Sequence, residues 1–478
     1  MGQYKLSLRY KLNKMREKEL LSKLIIQGKL SPKDARKFLI ERRRKTLENI
    51  KKLLKELDQK YFYHWYNEPP TVKVKVKTSV LKQYLTKLKE KYQAKSYYNL
   101  LVKKLKIPEN RAKLYIAWLK KPIIHPTIKS LLQFCKHIKI NPQKLEEDKA
   151  FTIKFPIYLK SPTIIKLKTH ILNEGTLIKG GNGKKYYITR YANKDPALHM
   201  YVRKLLEKLG IKIENPPDYD PSRKVYVTSI NATIARILNK AGIPYGRKTI
   251  TNPSIDPKIL TSPELRKYHF QTTLTEEGTS SLYITKEKRL RMTISWSRSI
   301  DITDKLTPQQ KQKIKQLAKK RDIAYGEVKK KRYHDIIEII LENRPRLLEQ
   351  ETSILEKIHK NIIDLKVTPI KPVSIHVSKD SRISVKWRIE FKSKKLIDLL
   401  CTEYGMLKET WKNQRLQKQY ETYKKYRSRK LNNNEITKIK ETLKEIPPKI
   451  PKKWIKTKIN ELFKPHPSDF INKNTKKK

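Results

Sequence analysis

Apolar positions in the middle of the chain follow a helical period and then switch to alternation, and this happens twice. From Pro162 the run TIIKLKTHILNE places Leu167, Thr169 and Ile171 on one helical stripe that stops at Glu174-Gly175. Alternating runs over Thr176–Lys179 and Lys184–Arg190 predict two strands around the turn Gly180-Gly181-Asn182-Gly183. Asp195-Pro196 opens a second helix, apolar at Leu198, Val202, Leu205, Leu206 and Leu209. Strands are expected at Ile211–Glu214 and Lys224–Thr228, and the helix NATIARILNKAG closes an αββαββα unit over 151–258. The second unit, over 259–405, starts at Ser262-Pro263-Glu264 and stops at Glu277-Gly278. Strands at Ser281–Thr285 and Leu290–Arg298 precede a helical insertion near 307–364. Strands at Val373–Val377 and Ile383–Phe391 and the helix SKKLIDLLCTEYG complete it. Counted back from each glycine, Leu167, Thr169, Ile171 and Glu174 match Phe270, Thr272, Leu274 and Glu277.

The flanks read as helical. Residues 1–78 form a basic extension whose cluster Tyr61-Phe62-Tyr63-His64-Trp65-Tyr66 suits a small core, ending at a Glu68-Pro69-Pro70 linker. Residues 79–150 hold short helices joined at Lys106-Ile107-Pro108, with Leu100, Leu101 and Leu105 expected to face Leu114, Ile116 and Trp118. Residues 406–478 form a basic helical tail.

Charge narrows the partner. Lys and Arg number 112 against 46 Asp and Glu, a net +66 over 478 residues. Such a chain repels itself unless a polyanion neutralises it, and each lysine or arginine set on a phosphate releases a counterion. Double-stranded DNA is the expected partner, with structured intron RNA as the alternative. No apolar run approaches the length of a bilayer span, so no membrane partner is expected. The two cysteines, Cys135 and Cys401, supply neither a disulfide framework nor a CxxC zinc site. A cytoplasmic, nucleoid-associated monomer with internal pseudo-twofold symmetry is expected.

The order of helices in 79–150, ending in IKINPQKLEED, resembles the helix-turn-helix domain of the Cro and repressor family. That resemblance puts Asn110, Arg111 and Lys113 at the start of the helix that enters the major groove. The segments THILNEGTL, TRYANKDPALHMYVRKLLEKLGI, VTSINATIARILNKAGIPYGRK and ILTSPELRKYHFQTTLTEEGTSSL resemble single-chain, two-repeat LAGLIDADG homing endonucleases. The resemblance implies an α+β fold of two LAGLIDADG-like αββαββα repeats forming a saddle, beside an all-α N-terminal region and a helical C-terminal tail. It also implies site-specific double-strand DNA hydrolysis with two or more Mg²⁺ ions held by Glu174 and Glu277. A basic residue near each scissile phosphate is implied as well, and Lys224 and Lys386 are candidates from their late strands. Alternation proposes Lys185, Tyr187, Thr189 and Tyr191 on the first sheet as base readers, and Arg289, Arg291, Thr293 and Ser295 on the second. The opposite phase stays open. Where the family carries a small Ala-Gly pair, this chain has Lys168-Thr169 and Gln271-Thr272, which are expected to push the two helices apart. Two other functions stay open: a DNA-binding transcriptional regulator on an inactive form of the fold, and an RNA maturase or intron splicing cofactor.

Overall fold

Apolar surface is buried in two separate cores. In the computed structural model, residues 1–161 with 208–211 make one compact unit, and residues 162–207 with 212–478 make the other. The structure describes residues 47–180, 187–213, 215–318, 322–363 and 368–463. The helices expected over 1–46, the hairpin turn with Lys185, and the terminal NTKKK lie outside the described residues.

The first unit runs α1 (Leu47–Tyr61), β1 (Phe62–Tyr63), β2 (Val76–Lys77), α2 (Thr78–Lys91), a π-helical turn (Asn99–Lys104) and α3 (Glu109–Trp118). It continues through β3 (Ile123–Ile124), α4 (Ile128–His137), α5 (Pro142–Glu147) and β4 (Ile157–Tyr158). Strand β1 pairs with β4, and β2 with β3. The expected linker at Pro69-Pro70 is instead stitched into the fold. Val74 N donates to Pro126 O at 3.0 Å and Ile128 N to Val72 O at 2.9 Å. A boundary between 78 and 79 therefore falls within one unit. The aromatic cluster is core: Trp65 is wholly buried, with its indole N–H on Pro142 O at 3.1 Å. His64 sits between Asp58 at 2.9 Å and Glu146 at 2.8 Å. Burial opposes its charge, but hydrogen bonds to Asp58 and Glu146 outweigh it and lift the imidazole to about 9. On α3 the buried face is Ala112, Tyr115 and Trp118, while Leu114 is exposed, one step from the expected stripe.

The second unit is built on α6 (Pro162–Glu174) and α9 (Pro263–Glu276), which pack on each other. After α6 come β5 (Gly175–Lys179), β6 (Tyr187–Asn193), α7 (Pro196–Lys208), β7 (Asp218–Asp220), β8 (Val225–Ile230) and α8 (Ala232–Lys240). Of the strand expected at 211–214, the described residues 211–213 form none, and β7 comes later in the chain. After α9 come β9 (Gly278–Ile284) and β10 (Leu290–Asp301). The insertion holds α10 (Pro308–Ala318), β11 (Ile323–Ala324), α11 (Tyr325–Lys330), α12 (His334–Glu342) and α13 (Arg346–Ile358). Then follow β12 (Lys371–Val377), β13 (Ile383–Phe391), α14 (Lys394–Leu399), α15 (Trp411–Tyr426), α16 (Asn433–Glu445) and α17 (Lys452–Phe463). The sheets are ordered β5-β6-β8-β7 and β9-β10-β13-β12-β11, so the shared strands have one topology and the insertion adds an edge strand to the second.

The residues expected to wedge the helices apart do not. Lys168 leaves the interface, and its buried ammonium donates to Asp256 at 2.7 Å and to Ala241 O at 2.6 Å. Thr169 and Thr272 turn their hydroxyls back onto their own helices, at Ile165 O (3.1 Å) and Tyr268 O (2.8 Å). A back-bonded threonine leaves no donor unmet in a close helix contact. Neither Gly175 nor Gly278 has positive φ, so neither is a left-handed helix cap. Each is the first residue of a strand that leaves its helix without a loop. A Cβ on Gly175 would stand 2.5 Å from Ile171 Cδ1 and 2.7 Å from its Cα, and one on Gly278 would stand 2.2 Å from Leu274 O. Gly278→Ala is therefore expected to cost about 1–3 kcal/mol in urea unfolding, and Gly175→Ala a similar amount, because backbone must move in both.

Candidate active site at the feet of two helices

A helix C-terminus carries unsatisfied carbonyls and partial negative charge. Here two such ends lie together, Glu174 being the last residue of α6 and Glu277 the residue after α9. The structure brings Glu174 and Glu277 within electrostatic reach of each other. Burial, then the charge of Glu277 and then that of Glu276, push the Glu174 carboxyl up to about 8, against Lys248 and Lys412.

Two lysines answer that charge, and sequence reading did not select either. Gly246, at φ +101°, bends the chain over β5 and donates to Leu177 O at 2.8 Å. That bend starts the helical turn Lys248–Thr251, whose Lys248 ammonium donates to Asn173 O. Lys412 lies in the first turn of α15, where Thr410 caps Asn413 N and Trp411 N donates to Asp195 at 2.8 Å. Its ammonium donates to Glu276 O at 3.1 Å and Gly278 O at 2.9 Å. Burial lowers the pKa of both lysines, and the charges of Glu174 and Glu277 oppose that shift. Lys248 ends the Gly-Ile-Pro-Tyr-Gly-Arg-Lys segment, so a sequence signal pointed at it. Lys412 sits in the basic tail, where nothing distinguished it from its neighbours.

The second sheet's open face adjoins this site. Cross-strand neighbours share a face, so Thr279 with Ser295 and Ser297 with Arg388 line one groove together with Lys386, Lys248 and Glu277. Arg291, Thr293 and Ser295 follow the expected phase, and Arg291 is exposed. Arg289 is exposed just before β10, bridged to Lys430. Lys386 is exposed in the groove.

The first sheet takes the opposite phase. Thr189 and Tyr191 are wholly buried, and Tyr187 lies against Tyr245 and Arg236 of the helical side. Ile188, Arg190 and Ala192 face out instead. The reason is local. Tyr191 pairs with Gly175, and Trp296 pairs with Gly278. Each large ring fills the space beside a residue that has none, and this fixes the parity of the strand. Lys224 is also misplaced by the sequence reading. It is exposed at the β7–β8 turn with φ +54°, lined up with Tyr219 and Lys452 rather than with the acids. In the first unit, Asn110 and Lys113 are exposed in the opening turns of α3, Arg111 is half-buried, and Lys113 pairs with Glu109 at 2.6 Å.

The helix interface is polar. His170 bonds Glu276 at 2.6 Å and Tyr268 at 2.8 Å, and Tyr191 donates to Glu276 at 2.5 Å. His170, Tyr191 and Glu276 are buried, and both bonds to Glu276 fall on one of its oxygens, while its Oε2 has no hydrogen-bond partner among the described residues. The Glu174 and Glu277 carboxylates are oxygen donors of the kind a hard divalent ion such as Mg²⁺ takes, while the Asn173 and Glu276 carbonyls accept from Lys248 and Lys412. Among the described residues no group of three or more His, Cys, Asp or Glu converges. Water or phosphate oxygens would complete such a coordination shell, as is usual for Mg²⁺.

No family model matches the chain, and no curated protein matches it. Among solved structures, it is similar to the LAGLIDADG meganuclease I-AabMI bound to uncleaved DNA. The TM-score is 0.31 and the identity 10%, over 60% of this chain and 99% of that one.

The Glu174 shift fixes a sign. An ordinary glutamate ionises near 4.5 and this one near 8, so between those values the folded chain holds a proton that the unfolded chain has released. Stability falls as pH rises through that window. In metal-free buffer Glu174→Gln is expected to match the parent's melting temperature near pH 5 and to exceed it near pH 8.5. Equal melting temperatures at both pH values would show that Glu174 ionises normally.

Proposed function

We propose that this chain is a site-specific, Mg²⁺-dependent DNA endonuclease of the LAGLIDADG kind. The observation that carries the reading is the convergence of Glu174 and Glu277, with Lys248 and Lys412, at two helix ends beside a groove of hydroxyl, lysine and arginine side chains. Bound Mg²⁺ would supply an activated water and charge for the leaving 3′ oxygen. Glu174 and Glu277 would hold it. Lys248 and Lys412 offset the acids' charge without metal and are placed to face a phosphate once that role is taken over. The serine and threonine rows of the second sheet can donate to or accept from phosphates and base edges, and Arg291, Lys386 and Arg388 add charge for the backbone. The exposed start of α3, with Asn110, Arg111 and Lys113, is proposed as a second, helix-turn-helix contact with the major groove.

A second reading has its own support. The two ammonium groups already occupy the helix-end carbonyls, so the site is electrostatically answered without metal, as a regulator that binds DNA without cutting would need.

Incubating the protein with Mg²⁺ and a plasmid library of randomised inserts, then sequencing linear products, tests both. Recurrent cleavage at one sequence is expected. Glu174→Gln and Glu277→Gln should each slow it by more than about a hundredfold, at the upper end of what loss of a supporting ligand costs, while binding persists. A Glu174→Gln protein that cuts as fast as the parent removes that residue's role. Tight, salt-sensitive binding to one site without nicking in Mg²⁺ or Mn²⁺ would favour the regulator.

A further inference from the structure

The two halves of the site are unequal, and the inequality comes from the insertion. Arg298 on β10 donates to Glu277 at 3.0 Å and, through its other terminal nitrogen, to Asn173 at 2.6 Å and to Glu351 at 2.6 Å. Glu351 belongs to α13, inside the insertion that the first half lacks. It is wholly buried and fully engaged. Besides Arg298 it bonds the Trp296 indole N–H at 3.0 Å, His269 at 3.2 Å and the Thr273 hydroxyl at 3.3 Å. An arginine fork clamped in this way has one orientation, and one arm of it reaches Glu277.

The first half has no such clamp. Arg298 stands two residues past Trp296, the partner of Gly278. Two residues past Tyr191, the partner of Gly175, stands Asn193, whose amide oxygen accepts from Asp195 N at 2.9 Å. No side-chain hydrogen bond reaches the Glu174 carboxylate among the described residues. Glu277 is thus held by a buried arginine, and Glu174 is not.

We propose that Glu351 and Arg298 are positioning residues for the Glu277 carboxylate and not for that of Glu174, so that the insertion sets how fast one DNA strand is cut relative to the other. The inference rests on the endonuclease reading. Loss of the clamp leaves Glu277 free to change rotamer. On the other side Arg298 reaches only the Asn173 side chain and not the Glu174 carboxylate, and Lys248 still holds Asn173 O. A general loss of stability would slow both strands together, whereas a positioning role shifts their ratio.

The test uses the intact chain, Mg²⁺ and the duplex recovered from the cleavage selection, labelled on one strand or the other. Glu351→Gln is expected to change the ratio of the two strand-cutting rates by at least about tenfold, the usual scale for losing an orienting partner, leaving nicked intermediate. Arg298→Lys keeps the charge and loses the fork, and it should shift the ratio the same way. It also decides the matter should Glu351→Gln fail to melt cooperatively. Both strands slowed equally, or neither slowed, by the folded variants would overturn the proposal. A parent chain that cuts neither strand would instead overturn the endonuclease reading, and this inference with it.

Discussion

Two helix C-termini packed side by side, each carrying a glutamate at its end, set the central constraint on this chain. Last-turn carbonyls and like charges concentrate negative potential in one place, and such a place is unstable unless cations occupy it. Among the described residues, three stand there. Lys248 comes from the segment joining the halves, Lys412 from the tail, and Arg298 from a sheet strand. Each arrives by a different route, so the joining segment, the tail and the second sheet are all tied to one small volume. The tail is thereby part of the site's construction: Trp411 N on Asp195 and the Thr410 cap fix α15 where its lysine must stand.

The same constraint accounts for the polar character of the helix interface. Where an all-apolar seam would pack two helices of any sequence, this one holds His170 against Glu276, and behind it His269 of α9 meets Glu351 of α13, both pairs buried. Buried ionisable pairs rarely raise stability above that of an apolar seam, but they penalise every register in which the partners miss. For two acids that must meet at the same level, register is the property that matters. Back-bonded Thr169 and Thr272 then allow the close approach that small residues would give elsewhere.

Much of this was legible in the chain, because it depends on period and punctuation. The repeated helix, Glu-Gly and strand pattern located both central helices, the strands after them and the pair of acids. What was lost depends on tertiary contact. The phase of β6 follows from Tyr191 filling the space beside Gly175, and a short alternating run reads equally well in either phase. Lys224 and Lys386 were plausible by strand position alone. One stands at an exposed hairpin turn and the other in the groove, and only the sheet order distinguishes them. Lys412 lies far along the chain from Glu276, in a tail crowded with lysines, so composition hid it. Glu351 was hidden as one acid among several in a helical insertion whose buried face only the tertiary fold defines.

The glycines act in a way their position does not announce. Glycine after a helix usually signals a left-handed cap, and Gly175 and Gly278 are not such caps. The structure gives them ordinary negative φ and no room for a Cβ against Ile171 and Leu274. The distinction bears on the site. A glycine's φ redirects only the chain that follows it, so the preceding glutamate stays at the helix end either way. What the direct step from helix into strand sets is the start of β5 and β9, which pairs Gly175 with Tyr191 and Gly278 with Trp296. The missing side chain thus fixes which strand residues stand beside the acids, and the site depends on two positions that contribute no functional group.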